Sequence, residues 1–216
     1  MLPLWDEPAP AAVTAPPHTT RILARSSDRV AWLRARSRGI TATDVAKLAT
    51  ERSVRAVVDD KWHGSRFSGN PFTDHGRRRE PEIAAWVQAN FGIAPSDALF
   101  HAEASRVHLA TPDGIAVTSA RLELAEIKTT SSPWRSIPRG YLRQVWWQQY
   151  VLGAERTLLV WEQHRDFVPV DAEPCHRWID RDDNEIHMLV QLADRVLSAL
   201  AERADASRAA RYGYGG

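Results

Sequence analysis

Four short strand-like segments follow one another through the middle of the chain, and a long amphipathic helix follows them. The segments cover residues 98–102, 107–110, 115–117 and 122–129, with the turn Thr111-Pro112-Asp113-Gly114 after the second. Pro138 favours a helix start and Gly153 favours its end, which predicts a helix over 138–152. We expect the four segments to form a meander, and further strands at 157–162, 167–170 and 177–179.

Helices are predicted on both sides of this region. Two short helices fit residues 27–48 with a break at Gly39, and a third fits 51–61. Residues 63–76 are rich in Gly, Pro and Ser and predict a loop, after which Glu80 lies in the opening turn of a helix. Asp182 resembles the cap of a final helix. The order helices, strands, helix, strands, helix predicts an α/β or α+β fold with a central mixed sheet flanked by helices.

The length and composition predict one domain. A chain of 216 residues, 44% of them hydrophobic, can bury a core of its own. Residues 1–20 contain five prolines and predict a flexible arm, or alternatively a docking peptide around Leu4 and Trp5. We place the domain at 21–205 and a flexible tail at 206–216.

Several classes of protein are excluded by composition. Cys175 is the single cysteine, so neither an internal disulfide nor a four-cysteine metal site can form. No apolar run is long enough to span a membrane. The acidic start of the chain is unlike a signal peptide, which predicts a cytoplasmic protein. Residues 21–80 hold 14 Lys or Arg against 7 Asp or Glu, which fits either a nucleic-acid contact or a solvated helix surface.

Acidic residues around one strand are the candidates for chemistry. Glu126 and Lys128 are two residues apart, so a strand places a carboxylate beside an ammonium on one face. Such a pair suits a Mg²⁺ site with a lysine that orients water, although a surface ion pair would look the same. Asp113 fits either a turn or a metal ligand, and Glu80 is a third acid upstream.

Five ordered segments resemble the lambda-type phage recombination exonucleases, the YqaJ-like viral recombinase family of PD-(D/E)xK nucleases. They span about residues 31–165. The segments are Ala31-Trp32 to Arg36 with Gly39-Ile40-Thr41-Ala42-Thr43-Asp44-Val45, Gly76-Arg77-Arg78-Arg79-Glu80, Pro112-Asp113-Gly114, Glu126-Ile127-Lys128, and Tyr141-Leu142-Arg143-Gln144-Val145.

The resemblance implies roles for particular residues. Asp113, Glu126 and the Ile127 carbonyl would hold Mg²⁺, for which Mn²⁺ would substitute, and Glu80 would help with a second ion or its waters. Lys128 would orient the attacking water. The remaining implied roles are a hydrogen bond within the site from Gln144, lining of the site by Tyr141, and binding of the 5′-phosphate of DNA by Arg36 and Thr43. From the residues alone, Gln144 and Arg36 also read as ordinary solvated side chains.

The implied activity is that of a Mg²⁺-dependent 5′-to-3′ exonuclease. It would degrade one strand of linear double-stranded DNA and leave a 3′ overhang for recombination by strand annealing in a bacterial host cell. The resemblance also implies a ring-shaped homotrimer, double-stranded DNA ends as the substrate and a single-strand annealing protein as a partner. Two alternatives stay open, an endonuclease of the same superfamily and a non-catalytic DNA-end-binding protein.

Overall fold

The computed structural model describes residues 17–64, 70–118 and 121–212. After a short 3-10 helix, Pro17–Arg21, these residues form ten strands and six α-helices. The strands are β1 Ile22–Arg25, β2 Ile40–Thr41, β3 Ala94–Pro95, β4 Ala98–His101, β5 His108–Ala110, β6 Gly114–Val117, β7 Leu122–Thr130, β8 Arg156–Arg165, β9 Val168–Pro169 and β10 Cys175–Asp180. The helices are α1 Arg29–Ser37, α2 Ala42–Val45, α3 Glu51–His63, α4 Pro71–Phe91, α5 Arg139–Leu152 and α6 Asp183–Tyr212.

The strands form two separate mixed sheets. One has the order β1-β4-β5-β2, and the other has the order β10-β8-β7-β6-β3 with β9 paired to β8. The prediction of a mixed sheet flanked by helices is confirmed. The predicted meander is wrong, because β4 and β5 lie in the first sheet whereas β6 and β7 lie in the second. The segment 111–113 therefore carries the chain from one sheet to the other.

The unit β7-α5-β8 forms the centre of the larger sheet. β7 and β8 are parallel, and Lys128 lies opposite Trp161. Parallel neighbours need a crossover connection, which α5 supplies. Half of α5 is buried in the core, including Trp147 and Val151. Because α5 packs on the sheet that contains β7, a side chain on α5 can reach a side chain on β7.

Helix α4 begins eight residues before the start that the sequence predicts. The Asn70 side chain accepts a hydrogen bond from the Thr73 N–H at 3.0 Å, and Pro71 takes the first helical position. Both residues belong to the segment that the sequence analysis assigned to a loop, of which residues 65–69 lie outside the described part. Glu80 therefore lies mid-helix rather than at the helix start, and Pro81 lies inside the helix.

Residues 17–20 and 206–212, which the sequence assigns to a flexible arm and a flexible tail, are helical in the structure. His18 is buried against Phe100, and the Arg21 guanidinium donates to backbone carbonyls near the end of α5, so residues 17–20 are packed on the domain. Residues 1–16, with the docking peptide considered around Leu4 and Trp5, lie outside the described residues. Helix α6 continues through 206–212, where the alanine-rich sequence favours a helix. None of the described helices combines the length and apolar character needed to cross a membrane.

A buried histidine pair joins α4 to β8. The rings of His75 and His164 are 4.4 Å apart, and both side chains are almost fully buried. Burial lowers the pKa of His75 below its ordinary value of 6.5, and the nearby His164 lowers it further. The unfolded chain therefore binds more protons than the folded chain as the pH falls through 6.5.

We predict that His75 contributes a decrease in the free energy of unfolding on acidification, because its imidazole binds a proton preferentially in the unfolded chain. Urea unfolding at about pH 7.5 and about pH 5.5 measures this slope. His75→Phe keeps a ring of similar size and removes the titration, so it is expected to flatten the slope. His187→Gln changes an exposed histidine on α6 and is expected to keep it. An identical slope in wild type and His75→Phe would contradict the prediction.

Candidate active site

Strand β7 places Glu126 and Lys128 on one face, as their spacing predicts. The Lys128 ammonium forms an ion pair with Glu126 Oε1. Gln148 on α5 donates from Nε2 to Glu126 Oε2 at 2.6 Å. Glu126 is only 1% exposed, so this carboxylate is held inside the protein by one cation and one amide.

Asp113 is hydrogen-bonded to the same strand through both its backbone and its side chain. Its backbone N–H donates to the Ala125 carbonyl at 3.1 Å, and its Oδ2 accepts from the Ile127 N–H at 2.7 Å. A side chain at Gly114 would lie 3.1 Å from Ala125 Cβ and 3.0 Å from Ile93 Cγ2, so glycine permits this close approach of β6 to β7. The turn motif and the strand motif of the sequence therefore meet at one place.

Glu80 approaches the strand from α4. A cavity of about 420 Å³ is lined by both Glu80 and Lys128, with Arg77, Ile127, Thr129 and Tyr141 among its other walls. Gly76 lets the helix lie close to the strand, since a Cβ there would be 3.2 Å from Thr129 Oγ1. Arg79 binds the Glu162 carboxylate with two nitrogens, at 2.9 and 2.7 Å, and so joins α4 to β8.

The acids of the site repel one another. Burial raises the pKa of Asp113 well above its usual range, and the charges of Glu126 and Glu80 add to this effect. The pKa of Glu80 is raised as well, by burial and then by Glu126. Burial alone would lower the pKa of Lys128, but Glu126 and Asp113 raise it, so Lys128 stays a cation. Three carboxyl groups thus face one ammonium.

Two further predicted residues lie on α5. The Lys128 ammonium is 5.3 Å from the centre of the Tyr141 ring, so Tyr141 borders the site. Gln144 is one turn before Gln148, but among the described residues no hydrogen bond joins the Gln144 side chain to the acids. Gln148 donates to Glu126 instead, and the role expected of Gln144 stays a prediction. The four-residue spacing of Gln148 from Gln144, which puts both amides on one side of the helix, was the available signal in the sequence.

The residues expected to bind a 5′-phosphate lie on α1 and α2. The Arg36 guanidinium is 4.3 Å from the centre of the Trp32 ring, and no ion pair of Arg36 occurs within the described ranges. Burial lowers the pKa of Arg36, although the charge of Asp44 opposes this. Thr43 is exposed on α2, whose C-terminal end accepts a hydrogen bond at the Ala46 carbonyl from Arg143 of α5. This contact places α2 beside the part of α5 that carries Tyr141.

The oxygen ligands near β7 suit a hard cation. Glu126 is buried and the half-buried Asp113 accepts from the Ile127 N–H, so two carboxyl groups lie next to the Ile127 backbone. Mg²⁺ is commonly held by one or two carboxylates plus water. In the part of the chain that the structure describes, no three His, Cys, Asp or Glu side chains form a metal-binding group on their own. The donor set therefore fits an ion that takes its remaining ligands from backbone, water or substrate.

Comparison with known proteins gives the family. The model of the YqaJ-like viral recombinase domain matches residues 31–155, more than half of the chain. The chain belongs to this family. The resemblance seen in the sequence is thereby confirmed, and so is the predicted enzyme class, a nuclease that acts on DNA. No curated protein matches the chain significantly.

Solved structures confirm the fold of this YqaJ-like protein. An alkaline exonuclease from Laribacter hongkongensis matches with a TM-score of 0.64 and 23% identity, over 83% of this chain and 97% of that one. A phage-related exonuclease from Haemophilus somnus 129PT matches with a TM-score of 0.61 and 12% identity, over 78% of this chain and 96% of that one. The α/β architecture is thus that of known exonuclease structures.

We predict that Asp113→Asn stabilises the protein at neutral pH, because it removes one of the mutually repelling charges and keeps an acceptor for the Ile127 N–H. The melting temperature is expected to rise by about 2–4 °C for each ~1 kcal/mol of relieved repulsion.

The control variant, Asp97→Asn, is expected to change the melting temperature in the opposite direction. Burial alone would raise the pKa of Asp97, but hydrogen bonds from Arg25, Ser27 and Ser26 lower it, so Asp97→Asn should destabilise the protein. Calorimetric melting in EDTA measures both variants. A lower melting temperature for Asp113→Asn would contradict the repulsion described here.

Proposed function

We propose that this YqaJ-like nuclease is a Mg²⁺-dependent 5′-to-3′ exonuclease that degrades one strand of linear double-stranded DNA and leaves a 3′ overhang. The observation that carries the proposal is the convergence of Asp113, Glu126 and Lys128 on β7. Three carboxyl groups opposite one ammonium leave negative charge that a divalent cation compensates. A DNA phosphate could then approach this acidic site.

Each residue of the site has its own proposed role. Asp113, Glu126 and the Ile127 carbonyl would hold the ion, and Glu80 would hold a second ion or its waters. Bound Mg²⁺ would polarise the phosphate and make water a better nucleophile. Lys128 orients that water and offsets charge on the phosphate by donating hydrogen bonds. In the metal-free protein the charges of Glu126 and Asp113 raise the pKa of Lys128, which favours the ammonium form that donates these hydrogen bonds.

A 5′-phosphate site would give the enzyme its direction. Arg36 offers a planar guanidinium with five N–H donors and has no ion pair among the described residues, and Thr43 offers an exposed hydroxyl. The charge of Asp44 on α2 acts on Arg36, and Thr43 lies on α2 itself. Arg143 of α5 donates to the Ala46 carbonyl at the end of α2, so α2 contacts the helix that carries Tyr141 beside Lys128. A strand whose 5′-phosphate is bound at Arg36 would thus extend past the acidic site.

The expected assembly rests on the family resemblance. We propose a homotrimeric ring around DNA, with the basic region 21–80 facing the duplex, and a single-strand annealing protein that takes the 3′ overhang. We propose that the nuclease acts in the cytoplasm of a bacterial host cell. Size measurement of the protein with and without duplex DNA tests the trimer.

The activity is tested by digestion of linear and closed circular duplex DNA with Mg²⁺, Mn²⁺ or EDTA. We expect loss of the 5′-phosphorylated strand of linear DNA, dependence on the metal, and intact circles. Lys128→Ala should reduce the rate at least about 100-fold, because it removes a charge-stabilising donor. Cutting of circles would instead indicate an endonuclease, and binding without cleavage would indicate an end-binding protein.

Arg36→Ala tests the direction. It should slow digestion of 5′-phosphorylated ends to the rate of 5′-hydroxyl ends, because the contact to the terminal phosphate is lost. Arg34→Ala, an exposed arginine on the same helix, is the control and should keep the preference. Strand-specific sequencing gels report the rates. An unchanged preference in Arg36→Ala would remove Arg36 from the phosphate site.

A further inference from the structure

A fully buried amide holds the second oxygen of Glu126. The first oxygen, Oε1, is taken by Lys128 from the same strand, whereas Oε2 accepts from Gln148 Nε2 at 2.6 Å. Gln148 is 0% exposed. Each carboxylate oxygen has two lone pairs, so both oxygens keep acceptor capacity after these bonds are made.

The chemical type of this partner matters for a cation site. An amide donates a hydrogen bond and carries no net charge, so it fixes the carboxylate without cancelling the negative charge that attracts a cation. A second Lys or Arg in its place would neutralise that charge. Groups that hydrogen-bond to metal ligands orient them and raise metal affinity.

The next residue provides a comparison within the same helix. Gln149 is also 0% exposed, and its Nε2 donates to Thr157 Oγ1 at 3.0 Å and to the Ile179 carbonyl at 2.9 Å. These bonds join α5 to β8 and β10, with no contact to an acid. In both amides Oε1 has no hydrogen-bond partner within the described residues. The two side chains therefore match in burial and differ in what they bind.

We propose that Gln148 is a positioning residue that fixes the Glu126 carboxylate for a divalent cation, whereas Gln149 only stabilises the fold. This inference rests on the proposed function in one respect, that Glu126 is a ligand of that cation. Without the amide, Oε2 would be a buried acceptor with no donor, and the carboxylate would turn toward Lys128. This change lowers its affinity for a cation.

The test compares Gln148→Met with Gln149→Met, since methionine is close to glutamine in volume and lacks the donor. Both variants should melt at lower temperature than wild type in EDTA, because each leaves buried partners unpaired. Calorimetric titration of DNA-free protein with Mn²⁺ separates them. Gln148→Met should bind Mn²⁺ about 10–100-fold more weakly, and Gln149→Met should bind it as wild type does.

Kinetics give a second readout. In Gln148→Met the Mn²⁺ concentration for half-maximal activity should rise, and the KM for DNA should stay constant. If Gln148→Met does not fold, Gln148→Asn replaces it, because the shortened amide no longer reaches Glu126. Equal Mn²⁺ affinity in wild type and the Gln148 variant, equal weakening in both glutamine variants, or no Mn²⁺ binding by wild type would each overturn the proposal.

The same experiments separate this proposal from the proposed function. Weaker Mn²⁺ binding by Gln148→Met in a protein that does not cut DNA would support the positioning role and contradict the nuclease. A wild type that cuts linear DNA, together with an unaffected Gln148→Met, would support the nuclease and contradict the positioning role.

Discussion

The burial of the Glu126 carboxylate is the constraint on which the site depends. A charge that is 1% exposed is stable only with partners, and Glu126 has two, the Lys128 ammonium and the Gln148 amide. Asp113 and Glu80 lie nearby, and burial together with the charges of the other acids raises the pKa of each. With three acids against one ammonium, the arrangement is incomplete as a structural ion pair and is electrostatically matched to a divalent cation.

Elements outside β7 bring the other groups of the site to Glu126 and Lys128. Strand β7 supplies Glu126 and Lys128, the crossing from one sheet to the other supplies Asp113, and α5 supplies Gln148. Helix α4 supplies Glu80, and it is held in place by the bidentate contact of Arg79 with Glu162 and by the close approach of Gly76 to Thr129.

Much of this could be predicted from the sequence, because some of the signals are local. The two-residue spacing of Glu126 and Lys128 fixes a shared strand face, and this prediction needed no tertiary information. The link to Asp113 came from resemblance, since the turn residues of Pro112-Asp113-Gly114 are common in ordinary loops. The family itself was recognised from the order of five modest motifs.

The errors have both local and long-range causes. Asn70 and Pro71 looked like loop residues but start α4, because a cap and a first-turn proline use the same residue types as loops. Strands β1 and β2, which pair with β4 and β5 in the first sheet, were not predicted, so β4 and β5 seemed to belong to one meander with β6 and β7. Gln144 is half-buried on α5, whereas Gln148 is fully buried. This difference in burial is set by how the helix packs on the sheet that contains β7.

Anomalous X-ray diffraction from crystals soaked in Mn²⁺ is the most direct test of the central claim, that the acids around β7 form a divalent-cation site. The account predicts a strong anomalous peak between Asp113 and Glu126, within bonding distance of both carboxylates, and no such peak in crystals of Asp113→Asn. A Mn²⁺ peak elsewhere with none at these two residues would contradict it.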